Sequence, residues 1–536
     1  MRTTYFSFLA VVCVFFHVDH LSAQNKDLTA VKYANTITVE ELKEHLYIIA
    51  SDAYEGRETG MPGQKKAAAY LADYYKSLGV LPCVEGSYFQ QYPLKKEVVK
   101  KAEITANGQL FQFAKDFFFF NSNAIQENLS LNNIVFAGYG IDDPAYSDYK
   151  ELDVKDKVVI CFLGEPQDKN GVSLISKSGD LTDWSLDPGM KMLTAQSKGA
   201  KGVLFIHQEY DQFIPRVRFW LDNPGLELDY PVKENAEENI PFFFVKKDLA
   251  VALLQEAGYK KNLDKILQKI NKKGKTVSFS GSTKAVIHVE RTSEKVTAEN
   301  VLCFIEGSDP VLKNEIVVVS AHYDHVGIIK GEIHNGADDD GSGTVAAMEI
   351  AEAFIEAKKQ GYGPKRSVLV LHVSGEEKGL LGSEWYSEFP IFPLENTVCD
   401  LNIDMIGRKD EAHAADSNYI YIIGSDRLST DLHVISEESN ALYTNLALDY
   451  TFNSPNDPNR FYYRSDHYHF AKHNIPVIFY FSGVHEDYHK PGDDPEKIMY
   501  EKMSKVAHLV FYTAWDVANR PARLVVDKTN DFPSER

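Results

Sequence analysis

An α/β fold built on a mostly parallel, doubly wound sheet, interrupted by an inserted β-rich domain, is the architecture predicted by this 536-residue sequence. Three observations predict it. Single cores stop growing beyond about 250–300 residues, so a chain of this length divides into more than one domain. Beyond Asn300, strands that are apolar nearly throughout alternate with helices, the pattern of a parallel sheet covered on both faces. Between roughly Leu131 and Arg291, that alternation gives way to short β-rich runs punctuated by Gly, Pro and Asp.

In chain order, the first stretch, MRTTYFSFLAVVCVFFHVDHLSAQ, sets Arg2 before an apolar run from Tyr5 to Phe16 and closes on Leu21-Ser22-Ala23. It reads as a secretory signal over residues 1–23, so the expectation is export to a periplasm or the extracellular space. The run falls short of the ~20 apolar residues that a spanning helix needs, and Asp19 and His20 interrupt its far end. No later stretch is long and apolar enough to cross a bilayer. Residues 24–130 then open the main domain. Thr38 and Glu41 make a capping box before Leu42, Leu46 and Ile49 at helical spacing. A second helix reads from Gln64 to Leu78, stopped by Gly79, and the loop GRETGMPG lies between the two.

Residues 131–295 form the expected insertion, with strand-like runs NNIVFAGYGI, DKVVICFLG, AKGVLFIHQ, IPFFFV and KTVSFSG and one helix, KKDLAVALLQEAG. Residues 296–536 carry the rest of the main domain through EIVVVSA, GTVAAMEIAEAFIEA, SVLVLHVS, CDLNIDMIG, SNYIYIIG and IPVIFYF. Ligands in such sheets bind at the carboxyl ends of the strands.

Bulk properties exclude some functions. Lys and Arg total 57 against 77 Asp and Glu, a formal charge of −20, and such a surface repels nucleic acid and anionic lipid. Beyond the signal, Cys83, Cys161, Cys303 and Cys399 are scattered without CxxC spacing, so neither a disulfide framework nor a thiolate metal site is implied.

Five clusters carry chemistry. SAHYDHVG follows an apolar strand, and a His two residues before an Asp suits an imidazole ligand with a carboxylate on its other ring nitrogen (His322, Asp324). In HNGADDDGSG, three adjacent carboxylates (Asp338, Asp339, Asp340) repel one another; helix capping satisfies one or two, and three beside a strand end call for cations. SGEEKGLLGS delivers Glu376 and Glu377, a pair that can divide cation binding from proton removal. CDLNIDMIGR sets Asp404 near the end of an apolar strand, where an unpaired charge costs several kcal/mol. The last cluster runs from YRSDH to DYHKPGDD and offers both His485 and His489, without choosing between them. Histidines and carboxylates without cysteine suit a pair of Zn²⁺ ions, with Co²⁺ or Mn²⁺ as other occupants.

In this order, HYDHVG, GADDDGSG, SGEEKGLLGS, NIDMIGR, YRSDH and DYHKPGDD resemble the M28 family of metallopeptidases, zinc aminopeptidases sharing the zinc-dependent exopeptidase fold with glutamate carboxypeptidase and, more distantly, glutaminyl cyclase. GRETGMPGQKKAAAYLADYYKSLGV resembles the family's N-terminal portion, so the catalytic fold is expected to be split around the insertion. The resemblance implies His322 and Asp404 at one zinc, Glu377 and His489 at the other, and Asp339 bridging them. It implies Glu376 as general base, Asp324 behind the ligands, Tyr488 as a donor to the tetrahedral intermediate, and a supporting role for Ser465 and Asp466. AGYGIDDP, ELDVKDKVVICFLGEP, AQSKGAKGVLFI and IPFFFVKKDLAVALLQEAG resemble a protease-associated (PA) domain. The expected activity is removal of N-terminal residues from peptide substrates. The alternatives are a carboxypeptidase using Arg464 or Arg408 for a terminal carboxylate, a cyclase, and a non-catalytic binding protein.

Overall fold

The computed structural model describes residues 25–120, 128–231 and 239–529, apart from the side chain of Trp220. The signal read at residues 1–23 lies outside the described residues. The main sheet has eleven strands and is mixed. Its centre is parallel, in the spatial order Ser367–Val373, Ile316–His322, Thr397–Ile403, Val477–Phe481. Tyr419–Ile423 runs antiparallel on one side. On the other side Val286–Ile305 pairs antiparallel with Ser367–Val373, and Phe89–Ala106 pairs antiparallel with Val286–Ile305.

The mostly parallel sheet expected from the sequence is therefore corrected to a mixed one with a parallel centre. The two long strands form an arm reaching into solvent, and no residue from Glu290 to Thr297 is buried. An arm without a buried face needs no apolar alternation, so its sequence, VERTSEKVTAE, carries no strand signal.

Both faces of the central sheet are covered. Val317, Val319 and Ala321 point into one core with the helices Gly343–Lys359 and Tyr500–Asn519 and the N-terminal helices Val39–Ile49 and Pro62–Ser77. Ile316 and Val318 point the other way, against Tyr386, Phe470 and Ala471 from the helices Leu381–Glu388 and His467–Lys472. Leu42, Leu46, Ile49 and Leu71 are fully buried in the first core, each side chain contributing about 1.5–3 kcal/mol of burial. Residues before the arm thus share a core with residues after it. Thr38 Oγ1 accepts from the amide of Glu41 at 3.2 Å, capping the first of these helices.

A second sheet of six strands has the order Ser278–Ser282, Asn133–Ala137, Val158–Phe162, Gly202–Ile206, Phe242–Val245, Phe117–Phe118. It has core on both faces, and the far end of the arm (Ala102, Ile104, Ile287, Val289) packs into one of them. The arm thus joins two cores. Near its base, Leu228 pairs with Leu94, and Tyr230 stacks on Trp385 and donates to Glu384 at 2.6 Å. Among the described residues, no helix is long and apolar enough to cross a membrane.

Candidate metal centre

Four adjacent parallel strands end at one edge, and each delivers polar groups there. His322 closes Ile316–His322; Glu376 and Glu377 follow Ser367–Val373; Asp404 follows Thr397–Ile403; His489 lies in the loop after Val477–Phe481. Asp339 comes from the turn leading into the helix Gly343–Lys359.

These side chains meet. His322 Nε2 is 3.4 Å from Asp339 Oδ1 and 3.6 Å from Asp404 Oδ1. His489 Nε2 is 3.1 Å from Asp339 Oδ2 and 3.0 Å from Glu377 Oε2. Glu376 Oε2 stands 4.0 Å from His322 Nε2, beside the first set. The two neighbours of Asp339 are occupied elsewhere. Asp340 accepts from the amides of Gly343 (2.9 Å), Met405 (3.1 Å) and His322 (3.2 Å). Asp338 accepts from the amide of Gly407 at 2.6 Å and faces His485 Nε2 at 3.4 Å. Within the acidic triplet only the middle carboxylate faces the other groups, and of the two loop histidines His489 stands with it.

Outer contacts orient these groups. Ser465 Oγ donates to Asp404 Oδ2 at 2.8 Å and accepts from Asn402 Nδ2 at 2.8 Å. Asp466 accepts from Ser383 Oγ at 2.6 Å. His322 Nδ1 lies nearer the backbone carbonyl of Asp324, at 3.1 Å, than its carboxylate, at 3.7 Å. That carboxylate accepts from Thr59 Oγ1 (2.6 Å) and the amide of Glu376 (3.3 Å), tying the histidine loop to the glutamate loop. Tyr488 stacks on His489 with ring centroids 3.9 Å apart. It shares a pocket with Glu376 and Asp404, which Phe461, Phe479, Phe481 and Arg464 also line.

Sequence reasoning missed several contributors. Asp493 accepts from the amides of Asp338 (3.0 Å) and Asp339 (3.1 Å), fixing the turn that aims Asp339. Arg57 is fully buried, and its guanidinium donates to the carbonyls of Ile49 (3.1 Å), Tyr323 (2.8 Å), Asn335 (2.6 Å) and Gly336 (2.8 Å). His325, also fully buried, puts Nδ1 2.9 Å from Glu377 Oε1 and 3.7 Å from Asp339 Oδ2. The signals for Asp493 and His325 lay inside motifs already singled out, but spacing alone did not separate them from their neighbours.

The electrostatics call for cations. Burial pushes the Glu376 carboxyl well above its ordinary range, with Glu377 and Asp404 adding to the effect and His322 opposing it. Burial likewise raises Asp404. Burial opposes ionisation of Asp339, yet its contacts with His322 and His489 hold it well below the usual carboxylate range. Burial disfavours a charged His489, but Asp339 and Glu377 hold it up at about 10. Without cations, the packed carboxylates are balanced by protonated imidazoles and by the buried Arg57 guanidinium, which interacts with Asp339 and Asp340. Buried His322 Nε2 and Asp339 Oδ2 have no hydrogen-bond partner, as expected of atoms that hold a metal. His322, Asp339 and Asp404 form one group of possible ligands, and His325, Asp339 and Glu377 another. The all-nitrogen and oxygen donor set suits zinc.

Residues 300–514 match the model described as Peptidase family M28. A probable leucine aminopeptidase 2 from Aspergillus oryzae is 31% identical over 208 residues, covering 38% of this chain and 38% of that protein. A probable zinc metalloprotease from Pyrenophora teres f. teres is 30% identical over 273 residues, covering 42% of this chain and 53% of that protein. The chain thus spans about half, or less, of the length of these curated relatives. Among solved structures, an aminopeptidase from Aneurinibacillus sp. strain AM-1 has a TM-score of 0.50 at 17% identity, covering 95% of this chain and 100% of that one. That likeness concerns the fold.

Proposed function

We propose that this chain, whose residues 300–514 belong to peptidase family M28, is an aminopeptidase that holds two zinc ions and removes N-terminal residues from peptides. One observation carries the reading: the two oxygens of Asp339 face different partners. Oδ1 lies by His322, itself beside Asp404, and Oδ2 lies by His489, itself beside Glu377. A single carboxylate shared by two donor sets suits a pair of closely spaced ions. When bound, the ions would supply Lewis acidity and lower the pKa of water.

The chain's own residues take the remaining roles. Glu376 stands outside both donor sets, takes a proton from water and passes it to the departing amine. Burial keeps the phenol of Tyr488 protonated, with Asp339 and Glu377 adding to the effect, so it donates to the developing oxyanion. Phe461, Phe479 and Phe481 offer apolar surface beside Glu376 for an apolar substrate side chain, in keeping with the leucine aminopeptidase named among the relatives. In this reading the second sheet is a protease-associated module, expected over about residues 131–295 between main-domain segments 24–130 and 296–536, with the edge strand Phe117–Phe118 of the first segment added to it. Its Tyr230, set on Trp385 of the helix that follows the glutamate loop, supports a role in shaping access. Export, read from residues 1–23, belongs to the proposal and is checked by finding Gln24 at the N-terminus of protein recovered outside the cytoplasm.

A carboxypeptidase remains the second reading because of Arg464. Arg408 is held by Asp487 at 3.1 Å, whereas Arg464 is exposed, stacks on Phe461 and has no acidic partner among the described residues. Leucine p-nitroanilide, its N-acetyl form and peptides blocked at either end decide between them. Hydrolysis of free-amine substrates alone, lost on chelation and restored by zinc, is expected. Release of C-terminal residues from N-blocked peptides would overturn the aminopeptidase reading.

A further inference from the structure

The two donor sets differ in how their carboxylates are held. Asp404 divides its oxygens, Oδ1 toward His322 and Oδ2 toward the hydroxyl of Ser465. Glu377 divides its oxygens too, Oε2 toward His489 at 3.0 Å and Oε1 toward His325 at 2.9 Å. Nothing else serves Oε1, which is buried without a hydrogen-bond partner, as are both ring nitrogens of His325. Nδ1 and Oε1 are within reach of each other without yet being aligned as a hydrogen bond.

The imidazole is closely confined. His325 is fully buried, and its amide donates to the carbonyl of Arg57 at 3.3 Å. Its backbone forms a bridge with Glu58. Gly336 packs so closely that a Cβ there would collide with the ring. The ring faces His489 with centroids 5.7 Å apart, across the second donor set. It is on the far side of Asp339 from Asp404: Nδ1 approaches Oδ2, the oxygen turned to His489, at 3.7 Å.

We propose that His325 is a positioning residue for the second cation, holding Oε1 of Glu377 through Nδ1 so that Oε2 is presented to the ion beside His489. The inference rests on the two-ion reading above. It implies that the affinities of the two ions are separable: the ion near His322 and Asp404 is indifferent to His325, and the ion near Glu377 and His489 depends on it. Carboxylate partners of this kind are worth about 10–100-fold in metal affinity.

Zinc titration of the metal-free protein against a chromophoric chelator tests this in wild type and in His325→Ala, His325→Asn and His325→Gln. The amide nitrogen of asparagine occupies the place of Nδ1 and that of glutamine the place of Nε2, and both retain polarity in the buried site. Expected are two ions in wild type, about 10–100-fold weaker binding of one ion in the alanine and glutamine variants with the other unchanged, and near-wild-type binding in the asparagine variant. Thermal unfolding of each metal-free protein verifies folding, and the asparagine–glutamine comparison decides if alanine does not fold. Equal, wild-type binding of both ions by the alanine or glutamine variant overturns the inference alone. So does an asparagine variant as weak as glutamine, which would make the imidazole a direct ligand. A wild-type protein taking up fewer than two ions overturns the two-ion reading itself.

Discussion

Replacing Glu376 with Gln tests the assignment of the base with three linked readouts. The substitution keeps shape and removes only the capacity to accept a proton. Glu376 lies outside both donor sets, 4.0 Å from His322 Nε2, and the contact that fixes its backbone, its amide to Asp324 at 3.3 Å, survives the change. Zinc content should therefore stay at two ions. A positioned general base contributes about 10²–10⁴-fold, so kcat should fall by that factor, equivalent to about 3–5 kcal/mol in the barrier. The third readout has the opposite sign. Burial, reinforced by Glu377 and Asp404, raises the Glu376 carboxyl in the folded state, so ionising it at neutral pH costs stability. A neutral amide removes that cost, and the metal-free variant should melt higher than metal-free wild type at pH 7.5. The assays are leucine p-nitroanilide turnover, metal analysis by mass spectrometry, and calorimetry in chelator. Activity within tenfold of wild type with both ions retained would refute the assigned base; activity that falls only in step with lost zinc would refute its place outside the ligand sets.

Three further outcomes follow from the same geometry. Arg57→Met removes four charge-assisted hydrogen bonds to backbone carbonyls, three of them buried, and denaturant unfolding should show a loss of about 4 kcal/mol or more. Ser465→Ala removes the donor to Asp404 Oδ2 and should weaken one ion about tenfold by chelator competition, leaving the other unchanged. In chelator, His489 is held up at about 10 against about 6.5 in the unfolded chain. A raised imidazole contributes stability that is full below the unfolded value and is lost as pH climbs through the folded one, so the melting temperature of the metal-free protein should decline between pH 7 and 10.5; a flat or rising profile contradicts this.

The sequence was most legible where chemistry is concentrated in short motifs. His322, Glu377 and Asp404 stand out because each is a polar residue at or just after the end of an apolar strand, whereas the choice of Asp339 within its triplet and of His489 over His485 came from the family resemblance alone. The apolar strands of the sheet centre were legible for a related reason, being buried on both faces. The arm was not, since exposed β-structure leaves no hydrophobic period. Arg57, Asp493 and His325 escaped for another reason. Arg57 donates to backbone carbonyls and Asp493 accepts from backbone amides, and no side-chain pattern encodes a main-chain partner more than 150 residues away. His325 looks locally like a spare imidazole until folding sets it against Glu377.

Arg57 and Asp493 hold the same turn from opposite ends of the polypeptide, one through the carbonyls of Asn335 and Gly336, the other through the amides of Asp338 and Asp339. Translation delivers the first early and the second near its close. A nascent or prematurely terminated product ending before residue 493 lacks the group that aims Asp339, and one ending before 489 also lacks an imidazole.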